Sequence, residues 1–163
     1  MSAATSPLPA ALDVRELLEG LLGRDVVARV GAAPVDPLAP GGALVAAYVD
    51  DTLGLRAIVL MDLPLAARAG VAIALMPAAA ADDVLASGLL TPALYDNAAE
   101  ILNIMASLFN LDGAPHVRLY EAYAPREVLP ADVRTWTLAY VPRLDMAVDI
   151  AGYGTGRLSL LTV

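Results

Sequence analysis

Residues 94–110 read LYDNAAEILNIMASLFN, and the periodicity of this stretch decides how the chain is to be read. Leu94, Ala98, Ile101, Met105 and Leu108 step by four, three, four and three. So do Asp96, Glu100, Asn103, Ser107 and Asn110. At about 100° per residue in an α-helix, the two sets form stripes on nearly opposite sides. Thr91 is placed to cap such a helix, and Pro92 suits its first position, where the missing N–H costs nothing. The spacing therefore predicts a helix from Pro92 to about Asn110. Its apolar stripe packs on a sheet, and its polar stripe meets solvent or a partner. A solvated face is the plain reading of the polar stripe, but such faces usually mix acids with Lys or Arg, because i,i+4 pairs stabilise a helix by a few tenths of a kcal/mol. This stripe has no basic residue, and Asn103 in mid-helix costs roughly half a kcal/mol relative to Ala. A face that forgoes easy stabilisation fits a surface kept for another use.

Working outward, the segment ALDVRELLEGLLGRD gives a first helix that stops at Gly23, and VVARV follows as a short strand. After the Pro/Gly loop GAAPVDPLAPGG, ALVAAYV and LRAIVLM read as a hairpin around DDTLG. LPLAARAGVAIALM has helical spacing and is closed by Pro77, and AAADDVLASG is a short helix ending near Gly88. Beyond Asn110, HVRLYEA reads as a strand and PREVLPADVR as a Pro-bounded link. TWTLAYV and DMAVDIA are predicted to form a hairpin around PRL, and RLSLLTV is predicted to close the chain as an exposed edge strand after GYGTG. Both halves thus run helix, strand, Pro-rich link, hairpin. This order implies an internal duplication with pseudo-twofold symmetry. The expected fold is α/β of the α+β kind, a single domain at 10–163 with a largely antiparallel sheet and long helices packed on it, after a short disordered tail at 1–9.

Composition narrows function. The chain has 163 residues, a formal net charge of −8 and ten basic residues, all of them Arg. There is no basic footprint for nucleic acid. Without Lys there is no Schiff base or P-loop chemistry, and without Cys there is no disulfide framework, thiol nucleophile or thiolate metal site. The apolar region from Ala57 to Ala81 is broken by Asp62, Pro64, Arg68 and Pro77, short of the ~18 uninterrupted apolar residues a membrane span requires. The opening MSAATSPLPA lacks a basic n-region and an apolar h-region, so a cytoplasmic location is expected. Hydrophobic residues make up 58% and mean hydropathy is +0.64, which favours burial in an oligomer.

The segment DNAAEILNIMAS resembles the active-site helix of the CheC/CheX/FliY phosphatases of bacterial chemotaxis. Their signature is Asp or Ser, three residues, Glu, two residues, Asn, with a proline about two dozen residues on. Asp96, Glu100 and Asn103 match that spacing, and Pro125 falls within one residue of the proline. The resemblance covers roughly residues 10 to 151, through the helix ending LLG, the VAAYV…LRAIVLM hairpin and the Ala-rich helix. It implies hydrolysis of the aspartyl-phosphate on a response-regulator receiver domain of the CheY kind. Asn103 would orient the attacking water and Glu100 would pair with the regulator's lysine. Asp96, Ser107 and Asn110 would line the docking face. No cofactor of its own is implied, because magnesium comes with the partner, and a homodimer is expected. Two positions depart from the pattern. The family often has Ala-Gly shortly after the Asn, where this chain has Ala106-Ser107. CheC-type members also carry the motif twice, whereas the first helix here has Asp13, Glu16 and Glu19, with a carboxylate where the Asn should be. One site per chain makes the protein CheX-like. The alternatives are a module without turnover, similar to the FliM middle domain, which binds a signalling partner, and a purely structural homodimer.

Other candidates carry less. His116 is the only histidine, so triads and multi-histidine metal sites lack their parts. GYGTG sits between apparent strands and reads as a hairpin or bulge. Asp50-Asp51 and Asp82-Asp83 lack calcium-loop spacing and read as turn and helix-start residues. Trp136, alternating with Leu138 and Tyr140, reads as strand packing or interface.

Overall fold

A helix, a strand and a hairpin open the chain in the computed structural model, which describes residues 5–163, and three more helices follow them. α1 (Ala11–Leu22) ends at Gly23, whose φ of 64° is the left-handed cap a helix stop requires. β1 (Val26–Val30) follows, then β2 (Ala43–Val49) and β3 (Leu55–Asp62), joined by a turn built on Asp50. The Asp50 carboxylate accepts from Thr52 and from the Gly54 N–H, and it pairs with Arg56 at 2.6 Å. These bonds, led by that from Thr52, hold its carboxyl well below the usual carboxylate range. Asp62 then caps α2 (Leu63–Ile73) by accepting from the Leu65 N–H at 2.9 Å. The helix stops short of Pro77, and α3 (Ala79–Ser87) leads to α4 (Pro92–Ile104).

The second half gives β4 (Arg118–Tyr123), α5 (Ala131–Thr137), β5 (Arg143–Ile150) and β6 (Gly154–Thr162). The sheet has six strands in the order β1-β5-β6-β3-β2-β4, and every pairing is antiparallel. Exchanging first-half strands for their second-half counterparts leaves this order unchanged. The duplication is therefore real in the topology, and it is interwoven: β1 pairs with the second hairpin and β4 with the first.

The second hairpin is not the one expected. TWTLAYV is not a strand: Ala131–Thr137 is helical, and residues 138–142 are turn and bend. Asp132 lies in the first turn of α5 and Arg134 in the last, while Val133 and Thr137, one turn apart, are both buried. The alternation of Trp136, Leu138 and Tyr140 is a coincidence of a helix end and a turn, with Leu138 and Tyr140 exposed. The true hairpin joins β5 and β6 through Ala151–Tyr153, so GYGTG supplies the end of the hairpin turn and the start of β6. RLSLLTV is not an edge strand either. β6 lies at the centre between β5 and β3, and its residues from Leu158 to Thr162 are all buried. The edges are β1 and β4.

Both faces of the sheet are covered, which accounts for much of the apolar content. One face holds Leu44, Ala46, Tyr48, Val59, Met61, Met146, Val148, Leu158 and Leu160 beneath α1, α2 and α4. The other packs Val45, Ala47, Ile58, Leu60, Tyr123 and Leu161 of the sheet under Val35 and Val133. The loop bearing Val35 is tied down by its N–H, which donates to Ser159 Oγ at 2.9 Å, and Ser159 donates to Asp145 at 2.6 Å. Residues 5–9 lie against the domain, with Ser6 and Pro9 buried, while the rest of the tail reading falls outside the described residues. Among the described residues no helix is long and apolar enough to cross a membrane.

α2 reaches β6 through a gap left by Gly156, where an added Cβ would stand 2.5 Å from the Leu65 nitrogen and 2.6 Å from its Cα. Because helix backbone cannot yield as a side-chain tip can, Gly156→Ala is expected to destabilise the protein by about 2–3 kcal/mol. Thermal unfolding followed by circular dichroism measures this, and an unchanged melting temperature would show that α2 can move.

Candidate functional site

α4 is set by local chemistry first. Thr91 Oγ1 accepts from the Leu94 N–H at 3.3 Å, and Pro92 occupies the first turn. Leu94, Ala98, Ile101, Leu102, Met105, Leu108 and Phe109 are buried, and each large one contributes roughly 1.5–3 kcal/mol. Against that, the roughly half a kcal/mol that Asn103 costs in propensity is small. The helix can thus carry a poor helix former on its outer side.

Three polar side chains that periodicity does not mark then fix the helix. Asn97 Nδ2 donates to the Gly70 carbonyl on α2 at 3.1 Å. The two helices touch there, since a Cβ on Gly70 would come within 2.9 Å of the Leu94 carbonyl oxygen. The Tyr95 hydroxyl donates to the Ala122 carbonyl on β4 at 2.8 Å. The Tyr48 hydroxyl, fully buried on β2, donates to the Leu102 carbonyl at 2.5 Å. Burial pushes the Tyr48 phenol far above its ordinary range, so it stays a proton donor. The Tyr95 phenol is raised too, by burial first and then by the charges of Glu127, Asp96 and Glu121. Such a connection could have been suspected only from tyrosines lying inside apolar runs, because a buried phenol needs an acceptor.

The predicted stripe is reproduced at Asp96, Glu100 and Asn103, all exposed and on the same face of α4. Among the described residues neither the Glu100 carboxylate nor the Asn103 carboxamide has a hydrogen bond or ion pair within the chain. Beyond Ile104 the stripe changes character. Met105–Phe109 winds as a 3-10 helix, which turns about 20° more per residue than the α-helix expected as far as Asn110. Ser107 is exposed, but its hydroxyl donates back to the Ile104 carbonyl at 3.0 Å. Asn110 is half-buried: its Nδ2 donates to the Val117 carbonyl at 2.9 Å, and its Oδ1 accepts from the Val117 N–H at 2.7 Å. Both ends of that amide are committed to clipping the 111–117 loop.

The surroundings are acidic. Glu121 on β4 and Glu127 in the loop after it stand near enough to raise Tyr95 together with Asp96. Pro125 begins the loop packed on Gly42, and the next residue, Arg126, donates to the Gly88 carbonyl at 3.0 Å, just before α4. His116 is exposed and flanks β4. Among the described residues no three His, Asp or Glu side chains converge as a metal site would require. α1 offers a contrast: Asp13 and Glu16 are exposed, but Glu19 is half-buried and paired with Arg15 at 3.3 Å.

No family profile and no curated protein sequence matches this chain. Solved structures do. Thermotoga maritima FliY matches with a TM-score of 0.58 at 14% identity, over 91% of this chain and 82% of that one. The FliM middle domain from H. pylori matches with a TM-score of 0.56 at 8% identity, over 93% and 84%. The CheX-CheY-BeF3-Mg complex from Borrelia burgdorferi matches with a TM-score of 0.50 at 10% identity, over 93% and 94%. The fold is that of the CheC/CheX/FliY group and of the FliM middle domain. At these identities the likeness is one of fold alone.

The Asn110 clip generates a prediction of its own. Asn110→Ala is expected to cost about 1–3 kcal/mol, since it leaves buried Val117 backbone groups without partners. Limited proteolysis should then cut within residues 111–117 faster than in wild type. If stability and cutting stay the same, Asn110 is free for a partner.

Proposed function

We propose that the protein is a CheX-like phosphatase that hydrolyses the aspartyl-phosphate of a response-regulator receiver domain. The observation that carries this reading is the pair Glu100 and Asn103, one turn apart on an exposed helix face, their side chains free of partners among the described residues. Water attacks phosphorus, the bond from phosphorus to the aspartyl oxygen breaks, and inorganic phosphate leaves with the regulator's carboxylate restored. Phosphoryl transfer asks mainly for positioning and charge stabilisation. The regulator brings the phosphoryl group, and its magnesium and lysine neutralise the charge of the group in transfer. This chain supplies the carboxamide of Asn103, which can accept from the attacking water and hold it in line. Glu100 pairs with the regulator's lysine and sets the register of docking. Asp96 lines the approach, and Ser107 marks its far end.

A decay assay on acetyl-phosphate-loaded CheY tests the reading. Wild type should accelerate dephosphorylation, and Asn103→Ala should remove about a hundredfold or more of that acceleration while binding persists. An Asn103→Ala variant as active as an active wild type would sink the assignment. Wild type that binds the regulator without accelerating decay would favour the alternative, a partner-binding module without turnover, to which the FliM-like fold lends its support.

The homodimer proposal moves with the topology. β6 is central, so pairing between copies falls to β1 or β4. β4 is interrupted by a register shift opposite Ala47 and Tyr48, which blunts an edge. β1 pairs without a shift and exposes Val27 (46%) and Val30 (65%). An antiparallel pair centred on Val27 would set Asp25 opposite Arg29 of the second copy. Such a dimer leaves α4, at the other end of the sheet, open. Sedimentation should show a dimer for wild type and a monomer for Val27→Arg with dephosphorylation unchanged. A monomeric wild type at micromolar concentration counts against it.

A further inference from the structure

Beneath α4 lies one buried polar group to which the proposed chemistry assigns no part, the hydroxyl of Tyr48. Its acceptor matters more than its burial. The Leu102 carbonyl and the Asn103 N–H belong to one rigid peptide plane, so a bond of 2.5 Å to that carbonyl grips the peptide that carries Asn103. The grip falls where the winding changes. In a continuing α-helix the Leu102 carbonyl would accept from the N–H of residue 106, but from Met105 the chain is 3-10, whose bonds reach back three residues. The Tyr48 ring also lies 5.5 Å from that of Phe109, tilted by 46°, at the end of the 3-10 turn. One side chain thus touches the chain just before Asn103 and again at the end of the 3-10 turn that follows it.

The internal duplication supplies a control. β5 is the counterpart of β2, and it turns Met146, Val148 and Ile150 toward the helical side, with no hydroxyl among them. The helix of that position, α1, ends on a left-handed Gly23 rather than running into a 3-10 turn, and it carries Glu19 where α4 carries Asn103. The phenol and the altered winding occur together in the half that has the asparagine.

We propose that Tyr48 is a positioning residue for Asn103: by holding the Leu102 carbonyl, its hydroxyl sets where α-helix gives way to 3-10 turn and so the direction in which the Asn103 carboxamide leaves the helix. The consequence for turnover rests on the phosphatase reading above. The effect on the carboxamide does not.

The experiment therefore has two arms. In 15N-labelled protein, Tyr48→Phe keeps the ring but removes the hydroxyl. It is expected to move the side-chain amide resonances of Asn103 while leaving those of Asn97 in place. Unmoved Asn103 resonances overturn the proposal. In the decay assay on acetyl-phosphate-loaded CheY, referred to the folded fraction, Tyr48→Phe should lower the maximal rate about tenfold with half-saturation unchanged, within the roughly hundredfold that a one-ångström misplacement can cost. Asn97→Ala breaks another tie of the same helix, away from Asn103, and should lower the melting temperature without lowering that rate. An equal loss in Asn97→Ala would mean that Tyr48 merely stabilises, and would overturn the proposal. Should Tyr48→Phe not fold, Phe109→Leu loosens the same phenol from its other side, and a full maximal rate with unmoved Asn103 resonances there would likewise overturn it. An inactive Asn103→Ala beside a fully active Tyr48→Phe rejects this inference alone, whereas a fully active Asn103→Ala rejects the phosphatase reading and leaves the resonances to judge Tyr48.

Discussion

The close seating of α2 governs the helical side of the molecule. It lies against β6 where Gly156 leaves no side chain, and against α4 where Gly70 lets the Leu94 backbone approach. A helix held at two such contacts cannot slide or roll by a side-chain width without collision, because protein interiors pack to crystal density. Its composition follows from its place. Ala66, Ala67, Ala69 and Ala72 are all buried, so the helix is enclosed on several sides and needs small residues on each. From α2 the position of α4 follows, through the Asn97 bond to the Gly70 carbonyl and the shared cluster of Leu63, Ala67, Val71 and Leu94. The outer face of α4 is where it is because the inner face has no freedom.

The strand exchange gives this arrangement its unity. β1 completes the sheet beside the second hairpin and β4 beside the first, so neither half can bury its hairpin alone. The β3–β6 pair at the centre joins the halves, and its residues are covered on both faces. The apolar share of the chain is largely accounted for by this two-sided core. What remains exposed is concentrated at edges and loops.

Elements with strong local signals were legible in the sequence. Thr91-Pro92 and the two stripes placed α4, Gly23 ended α1, and the turn at DDTLG set the first hairpin, since in each case the residues that define the element lie within a few positions of one another. The failures have different physical causes. TWTLAYV alternates like a strand, but Pro130 and Asp132 had already started a helix that buries Val133 and Thr137 one turn apart. RLSLLTV reads as an edge only while its low charge is ignored, since an almost uncharged run belongs where both faces are buried. At Asn110 the period was carried too far, because the turn after Ile104 is 3-10 and the amide is spent on Val117. Tyr48, Asn97 and Gly70 were missed because their partners are distant in sequence, and no local pattern encodes which carbonyl a buried hydroxyl will find.

The charge around the site bears on what can react there. Asp96, Glu100, Glu121 and Glu127 border α4 and β4, and the chain as a whole carries −8. A free phosphate ester approaching Asn103 would meet like charge from these carboxylates, and even at the high dielectric of a surface several such repulsions accumulate. The same carboxylates suit a phosphoryl group that arrives already held by cations, because then they face the partner's positive groups rather than the phosphate itself. α1 marks the boundary of that logic. It has the same place in the duplicated fold and a similar acidity, but its Glu19 is paired within its own helix and it exposes no amide. Fold and acidity are common to both helices, so neither sets α4 apart. What sets it apart is an exposed carboxamide, that of Asn103, beside the Leu102 carbonyl held from below by the Tyr48 hydroxyl.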